Sequence, residues 1–203
     1  MYDVFDFVFG FGGLGMRDVY FVRHAKSDIS VKDGFSRPLT EKGQADCHLV
    51  TSFLSDKDID VIYSSPYKRA YDTVLPFATS VGLPVNIVDD FRERELGIWV
   101  DDFVTAAKSM WDDFSKPYAD TDGETLREVQ QRNINALHRV LEENPDSNIV
   151  IGTHGTALST IINYFNADYG FEDFLSMLDK MPWIVKMKFD GNSCIGIEMF
   201  DLF

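Results

Sequence analysis

Val19-Tyr20-Phe21-Val22-Arg23-His24-Ala25 is the stretch that decides the fold. Four β-branched or aromatic residues stand in a row and are followed at once by an arginine and a histidine, so the run reads as a short strand with polar groups at its carboxyl end. Outward from it, similar short runs alternate with longer amphipathic stretches, which is the signature of a layered α/β domain with a largely parallel sheet. Further strands are expected at Ile59 to Tyr63, Val85 to Val88 and Asn148 to Ile151. A closing pair at Trp183 to Phe189 and Cys194 to Phe200 is joined by Asp190-Gly191-Asn192 as a hairpin.

Helices are expected from Thr40 to Leu54, Tyr67 to Val81, Asp101 to Phe114, Glu124 to Glu143 and Thr156 to Tyr164. In the fourth, Leu126, Val129, Ile134, Leu137, Val140 and Leu141 fall on one face, and Thr121 with Glu124 is expected to form its capping box. The Asp-rich stretch from Asp89 to Gly123 lies between a strand and this helix. It reads as an insertion, its body at about residues 94–123, with a short helix of its own.

At 203 residues the chain is long enough for one well-packed domain, expected over residues 16–203. Residues 1–15 are aromatic and glycine-rich and carry Asp3 and Asp6 where a secretory signal would carry Lys or Arg. With Met16 just ahead of the first strand, they read as a leading extension or a start-site artefact, a lid being the functional alternative.

Composition is that of a globular protein, 45% hydrophobic and 26% charged, with no apolar run of bilayer length. The net charge of −14 argues against general affinity for nucleic acid or anionic membranes, which requires clustered cations. An anionic substrate must therefore meet a local positive site. Cys47 and Cys194 show no redox or metal spacing, so a reduced, cytoplasmic protein is expected.

In open α/β sheets, ligands bind beyond the carboxyl ends of the strands. Four such ends carry groups suited to phosphate: Arg23-His24, Ser64-Ser65-Pro66 with Arg69, Arg92-Glu93, and His154-Gly155. Arginine forks match phosphate oxygens, and helix starts add free N–H groups. A neutral imidazole can attack phosphorus and carry the phosphoryl group, which points to His24; His154, if protonated, would offset charge on the transferring group. A carboxyl must protonate the leaving oxygen, and Glu93 is placed to do so, with Glu95 as its competitor. Arg69 taken alone could be an ordinary exposed helix residue, though the functional reading is preferred, and His48 and His138 read as structural or surface residues. The cluster Asp89, Asp90, Asp101, Asp102, Asp112 and Asp113 is not spaced as a calcium loop and reads as a solvated, acidic flap rather than a metal site.

Together, Arg23-His24-Ala25-Lys26-Ser27, Ser64-Ser65-Pro66-Tyr67-Lys68-Arg69-Ala70, Phe91-Arg92-Glu93-Arg94-Glu95-Leu96-Gly97 and Thr153-His154-Gly155 resemble the ordered signatures of the histidine phosphatase superfamily, the phosphoglycerate mutase-like proteins. Pro38 to Gly43 resembles the family's segment after the first motif, and Gly123-Glu124-Thr125 its turn before the long helix. The resemblance implies a three-layer sandwich with a mostly parallel central sheet flanked by helices and a small insertion over the site. It also implies a phosphohistidine on His24, phosphoryl binding by Arg23, Arg69 and His154, and Glu93 as proton donor, with no metal or cofactor. Ser30 stands where many members carry Asn and is expected to contribute one hydrogen bond to substrate; Glu124 is either a helix cap or a substrate contact, and Gly155 lies beside the bound group. Ala25 replaces the usual glycine, and Trp99-Val100-Asp101 replaces the common Trp-Glu-Gly.

The expected activity is phosphomonoester hydrolysis on a small phosphorylated metabolite. Between Trp99 and Gly123 the only cations are Lys108 and Lys116, which disfavours the alternative of phosphoglycerate mutase-type transfer. A non-catalytic phospho-ligand binding module is the rival of a different class. The acidic flap would disfavour highly anionic ligands and so favour a small monophosphate.

Overall fold

A computed structural model describes residues 15–98, 102–118 and 121–203. The leading residues 1–14 and the Trp99-Val100-Asp101 segment lie outside the described residues. β1 (Met16–Arg23) is followed by α1 (Glu41–Leu54), β2 (Ile59–Ser64), α2 (Lys68–Val81), β3 (Val85–Ile87), α3 (Phe103–Asp112), α4 (Leu126–Glu143), β4 (Asn148–Thr153), α5 (Gly155–Phe165), α6 (Phe171–Met177), β5 (Trp183–Asp190) and β6 (Ser193–Asp201). A 3-10 turn, Asp89–Phe91, follows β3.

The strands form one six-stranded sheet in the order β3-β2-β4-β1-β5-β6. β1, β2, β3 and β4 run parallel, while on the far side of β1 the strand β5 pairs antiparallel with β1 and β6 pairs antiparallel with β5. Side chains alternate across a strand, and β1 shows the effect on both faces. Val19 and Phe21 enter a core with Leu137, Leu158 and Val185. Tyr20 and Val22 enter the opposite core with Val50, Leu54, Val74 and Phe77. A strand buried on both faces needs helices on both sides, and α1 and α2 cover one face while α4 and α5 cover the other.

The expected α/β architecture is present, and three local features differ from expectation. α4 begins at Leu126, and its capping box is Thr125 with Glu128, one turn later than Thr121 with Glu124. Glu124 is drawn out of the helix because its carboxylate is bound by Arg132 and Arg92 and its N–H donates to Glu95 O at 2.7 Å. α3 is shorter than expected and starts after Asp102, whose side chain accepts from Thr105 N. α6 was not expected: seven residues give too little periodicity to read. Among the described residues, no helix is long and apolar enough to cross a membrane.

The order of the sheet places the carboxyl ends of β3, β2, β4 and β1 side by side on one edge. α1 packs so closely against the chain leaving β1 that a Cβ at Gly43 would lie 2.1 Å from Lys26 O. Backbone rather than a flexible side chain opposes it. Gly43→Ala is therefore expected to destabilise the fold by more than about 2 kcal/mol in urea unfolding. A native-like midpoint would contradict this packing.

Candidate active site

His24 lies one residue past β1, and its N–H donates to Thr153 O at 3.1 Å. The next amide, Ala25 N, donates to Thr73 Oγ1 at 3.0 Å, and Thr73 Oγ1 in turn donates to Arg69 O at 2.7 Å. The loop is thus tied to both β4 and α2. The ring is fixed by Nδ1, 2.7 Å from Ala25 O. Since a carbonyl only accepts, Nδ1 carries the proton and Nε2 keeps its lone pair. Arg69 Nε donates to that Nε2 at 3.1 Å, and Arg69 Nη1 donates to Gly34 O.

Burial pushes the His24 pKa well below 6.5, and the charges of Arg69 and Arg23 push it further. His154 is lowered in the same way by burial and by Arg69. Both imidazoles are neutral in the free site. The protonation on which His154's proposed charge depends is opposed in the free site by burial and by Arg69. His154 Nε2 is 2.8 Å from Ser65 Oγ, its Nδ1 is buried with no hydrogen-bond partner, and its ring centroid is 5.3 Å from that of His24.

Arg23 is partly committed elsewhere. Its Nη1 donates to the carbonyls of Met177, Leu178 and Lys180, while its buried Nε has no partner. Burial lowers Arg23 and Arg69 to about 10, and Glu93 offsets part of that effect on both. Gly155 is the first residue of α5, where a Cβ would come within 3.3 Å of Arg23 Nε.

Glu93 sits across the start of α5. Its Oε1 accepts from Ala157 N at 3.1 Å and Arg94 N at 2.9 Å, and its Oε2 from Thr156 N at 3.1 Å. The segment bearing it is held by Arg132, which donates to the carbonyls of Asp90, Arg92 and Glu93 and pairs with Glu124. Glu124 is accordingly part of the support beneath the acid loop. Burial opposes its charge, yet hydrogen bonds from Arg132 hold its carboxyl below the usual range. Glu95, the competing carboxylate, accepts instead from Tyr67 Oη.

An open cleft of about 1180 Å³ fronts these groups, with Arg23, Arg69, Glu93 and Thr156 at its floor. His24 lies just behind, 7% exposed. The fold therefore brings His24, Arg23, Arg69, Glu93, His154 and Gly155 together. Ser30 is not brought in: its Oγ donates to Asp28 Oδ1 at 2.7 Å, because that carboxylate also organises the turn through Ser30 N. Of the expected acidic flap, Asp89 borders the cleft and pairs with Arg92, and Asp101 lies outside the described residues. Asp112 and Asp113 line a separate hollow of about 620 Å³ with Lys108, Lys116 and Phe171, and Lys108 pairs with Asp112. Among the flap's described carboxylates, like-charge repulsion of highly anionic ligands at the cleft is left to Asp89, which Arg92 offsets.

Sequence reasoning missed Arg37, Arg94 and Arg132. Arg94 lines the cleft, donates from Nε to Glu124 O, and keeps Nη2 buried without a partner. Its position between the two competing glutamates was the available signal. Arg37 and Arg132 carry no local pattern, since long-range packing brings each to the site.

A sequence model of the histidine phosphatase superfamily (branch 1) matches residues 19–194. The chain is 27% identical over 154 residues to the uncharacterized phosphatase PhoE of Bacillus subtilis, covering 72% of this chain and 76% of that one. It is 31% identical over 144 residues to phosphoserine phosphatase 1 of Hydrogenobacter thermophilus, covering 66% and 68% respectively. Among solved structures, Bacillus stearothermophilus YhfR superposes with a TM-score of 0.71 at 25% identity over 88% of this chain and 94% of that one. A mycobacterial glucosyl-3-phosphoglycerate phosphatase gives 0.71 at 19% identity over 91% and 97%, and supports the fold alone.

The two lowered imidazoles bear on stability. Above about pH 6.5 both are neutral folded and unfolded, so nothing is lost. Below it the unfolded chain binds protons that the folded chain refuses, and stability falls by about 1.4 kcal/mol per pH unit for each imidazole. Urea midpoints at pH 7.5 and 5.5 should show this loss, and His24→Gln with His154→Gln should remove most of it. A native midpoint that stays constant across that interval would contradict the neutral pair.

Proposed function

The chain belongs to the histidine phosphatase superfamily, and from that membership we propose that it hydrolyses phosphomonoesters through a phosphohistidine at His24 Nε2. The observation that carries this reading is the state of one imidazole. Nδ1–H is spent on Ala25 O, so the lone pair of the neutral ring lies at Nε2, just behind a cleft lined by Arg23 and Arg69.

The steps follow from the groups around it. An arriving phosphoryl group takes over the Arg69 Nε–H that otherwise caps Nε2, and the unpartnered Arg23 Nε–H supplies a further contact to its oxygens, as does His154 Nδ1 in the tautomer that carries its proton there while Ser65 Oγ–H donates to Nε2. Attack forms the N–P bond as the bond from phosphorus to the leaving oxygen breaks. The leaving oxygen takes its proton from Glu93, which the first amides of α5 hold in place. Water then attacks the phosphohistidine, Glu93 accepts its proton, and phosphate departs. The chemistry calls for no metal, and among the described residues no group of three His, Cys, Asp or Glu is placed to hold one.

Hydrolysis is preferred over mutase-type transfer because the two lysines of the insertion, Lys108 and Lys116, lie on the separate hollow, although Lys32, Arg37 and Arg94 do line the cleft. Arg92, beside the acid, is already paired with Asp89 and Glu124. A purely binding role is disfavoured by the convergence of nucleophile, acid and phosphate ligands at one point.

Kinetics on two esters of different leaving group test these roles. His24→Gln is expected to abolish turnover of both. Glu93→Gln should lower kcat by about 10²–10⁴ on an alkyl phosphate, whose leaving oxygen needs a proton. The loss should be far smaller on p-nitrophenyl phosphate, whose leaving group departs unprotonated. Undiminished turnover by His24→Gln, or rapid mutase activity primed with bisphosphoglycerate, would overturn this assignment.

A further inference from the structure

The cleft has a second wall that phosphoryl transfer does not use. It is formed by residues 28–37, a loop pinned from several directions. The Asp28 carboxylate accepts from Ser30 N and Oγ, the Asp33 carboxylate from Phe35 N and Ser36 N, and Arg69 Nη1 and Lys68 N donate to the carbonyls of Gly34 and Phe35. A loop held this way is a preformed surface.

What it presents to the cleft is unusual for solvent-facing backbone. Ile29 and Phe35 line the cleft while 67% and 58% exposed, and Ile98, 52% exposed, lines it too. Phe35 packs edge-on to Tyr67 at 5.9 Å. Exposed apolar groups that converge on one concave site mark a place where apolar ligand surface is buried. On the same wall stands Arg37, whose Nε and Nη2 donate to the carbonyls of Val31 and Lys32. Arg37 borders the same cleft as Arg23 and Arg69, and its charge adds to the causes that lower the pKa of His24 and Arg69.

We propose that this wall selects the leaving group: the cleft takes phosphomonoesters whose alcohol carries an aromatic or branched apolar body bearing an anionic group, the body lying on Ile29 and Phe35 and the anion meeting Arg37. The inference rests on the hydrolytic reading above and adds a substrate class to it. Phosphates of simple diols or neutral sugars offer neither feature.

A matched pair of esters isolates the effect. The leaving alcohols of 4-carboxybenzyl phosphate and 4-carbamoylbenzyl phosphate differ in charge while being nearly equal in acidity and size. The native protein is expected to prefer the carboxylate by about tenfold in kcat/KM, the worth of one charge-assisted hydrogen bond. Arg37→Gln should bring that ratio close to one, with Arg37→Lys retaining part of it. Phe35→Ala should lower both benzyl esters relative to ethyl phosphate by about threefold to tenfold. A native ratio of one or less, a ratio unchanged in Arg37→Gln, or a benzyl-to-ethyl ratio unmoved by Phe35→Ala would each overturn the proposal. Should no ester turn over, the same ratios are read from dissociation constants by calorimetry, so that failed hydrolysis and failed selectivity remain distinct.

Discussion

One nitrogen has to stay uncharged among arginines. Solvation would let the His24 ring take a proton at mildly acidic pH; burial and two neighbouring guanidinium groups prevent it, and the lone pair of Nε2 survives. A buried lone pair without a donor would itself be costly, and Arg69 Nε–H supplies that donor while remaining free to turn to a phosphoryl oxygen. Much of the surrounding structure serves to keep this arrangement in register. Thr73 ties the histidine loop to the helix that carries Arg69, Gly43 lets α1 approach the same loop, and the carbonyls of Met177, Leu178 and Lys180 hold Arg23 from behind. The ends of β1, β2 and β4 and the turn after β3 are neighbours because the sheet is parallel there, and each delivers one part of the site.

The charge of the chain and the charge of the cleft point in opposite directions. A net −14 is spread over the surface, whereas Arg23, Lys32, Arg37, Arg69, Arg92 and Arg94 all border one opening that contains Asp33, Asp89, Glu93 and Glu95. Local concentration of cations in a protein of the opposite sign favours anions at that opening over the rest of the surface. Composition alone suggested an acidic flap beside the site. The structure instead turns Asp112 toward Lys108 on the α3–α6 side and uses Asp102 as a helix cap, so these carboxylates are absorbed by local partners.

What was legible in the sequence follows from which interactions are local. Runs such as Val19 to Val22 and Asn148 to Ile151 disclose strands because β-branched residues crowd there, and the groups just beyond them disclosed where the chemistry would gather. The sheet order was not legible, since it depends on pairing between distant segments. The start of α4 was misplaced because Glu124 suits a helix end by type yet is claimed by Arg132 and Arg92 from elsewhere. Ser30 was expected in the cleft for its hydroxyl, but Asp28 two residues earlier is the nearer partner and takes it. Arg37 and Arg132 escaped notice because a lone arginine in a loop or on a helix looks like any solvated charge until tertiary packing sets it beside the site.

The covalent passage of phosphate through His24 is the claim on which the functional account stands. Hydrolysis of a phosphorothioate monoester, made chiral at phosphorus with two oxygen isotopes and run in water of the third isotope, reads the number of displacements directly. Two in-line displacements, one by the imidazole and one by water, must return inorganic thiophosphate with retained configuration. Inversion would mean that water attacks the ester itself, and His24 would then not be the carrier.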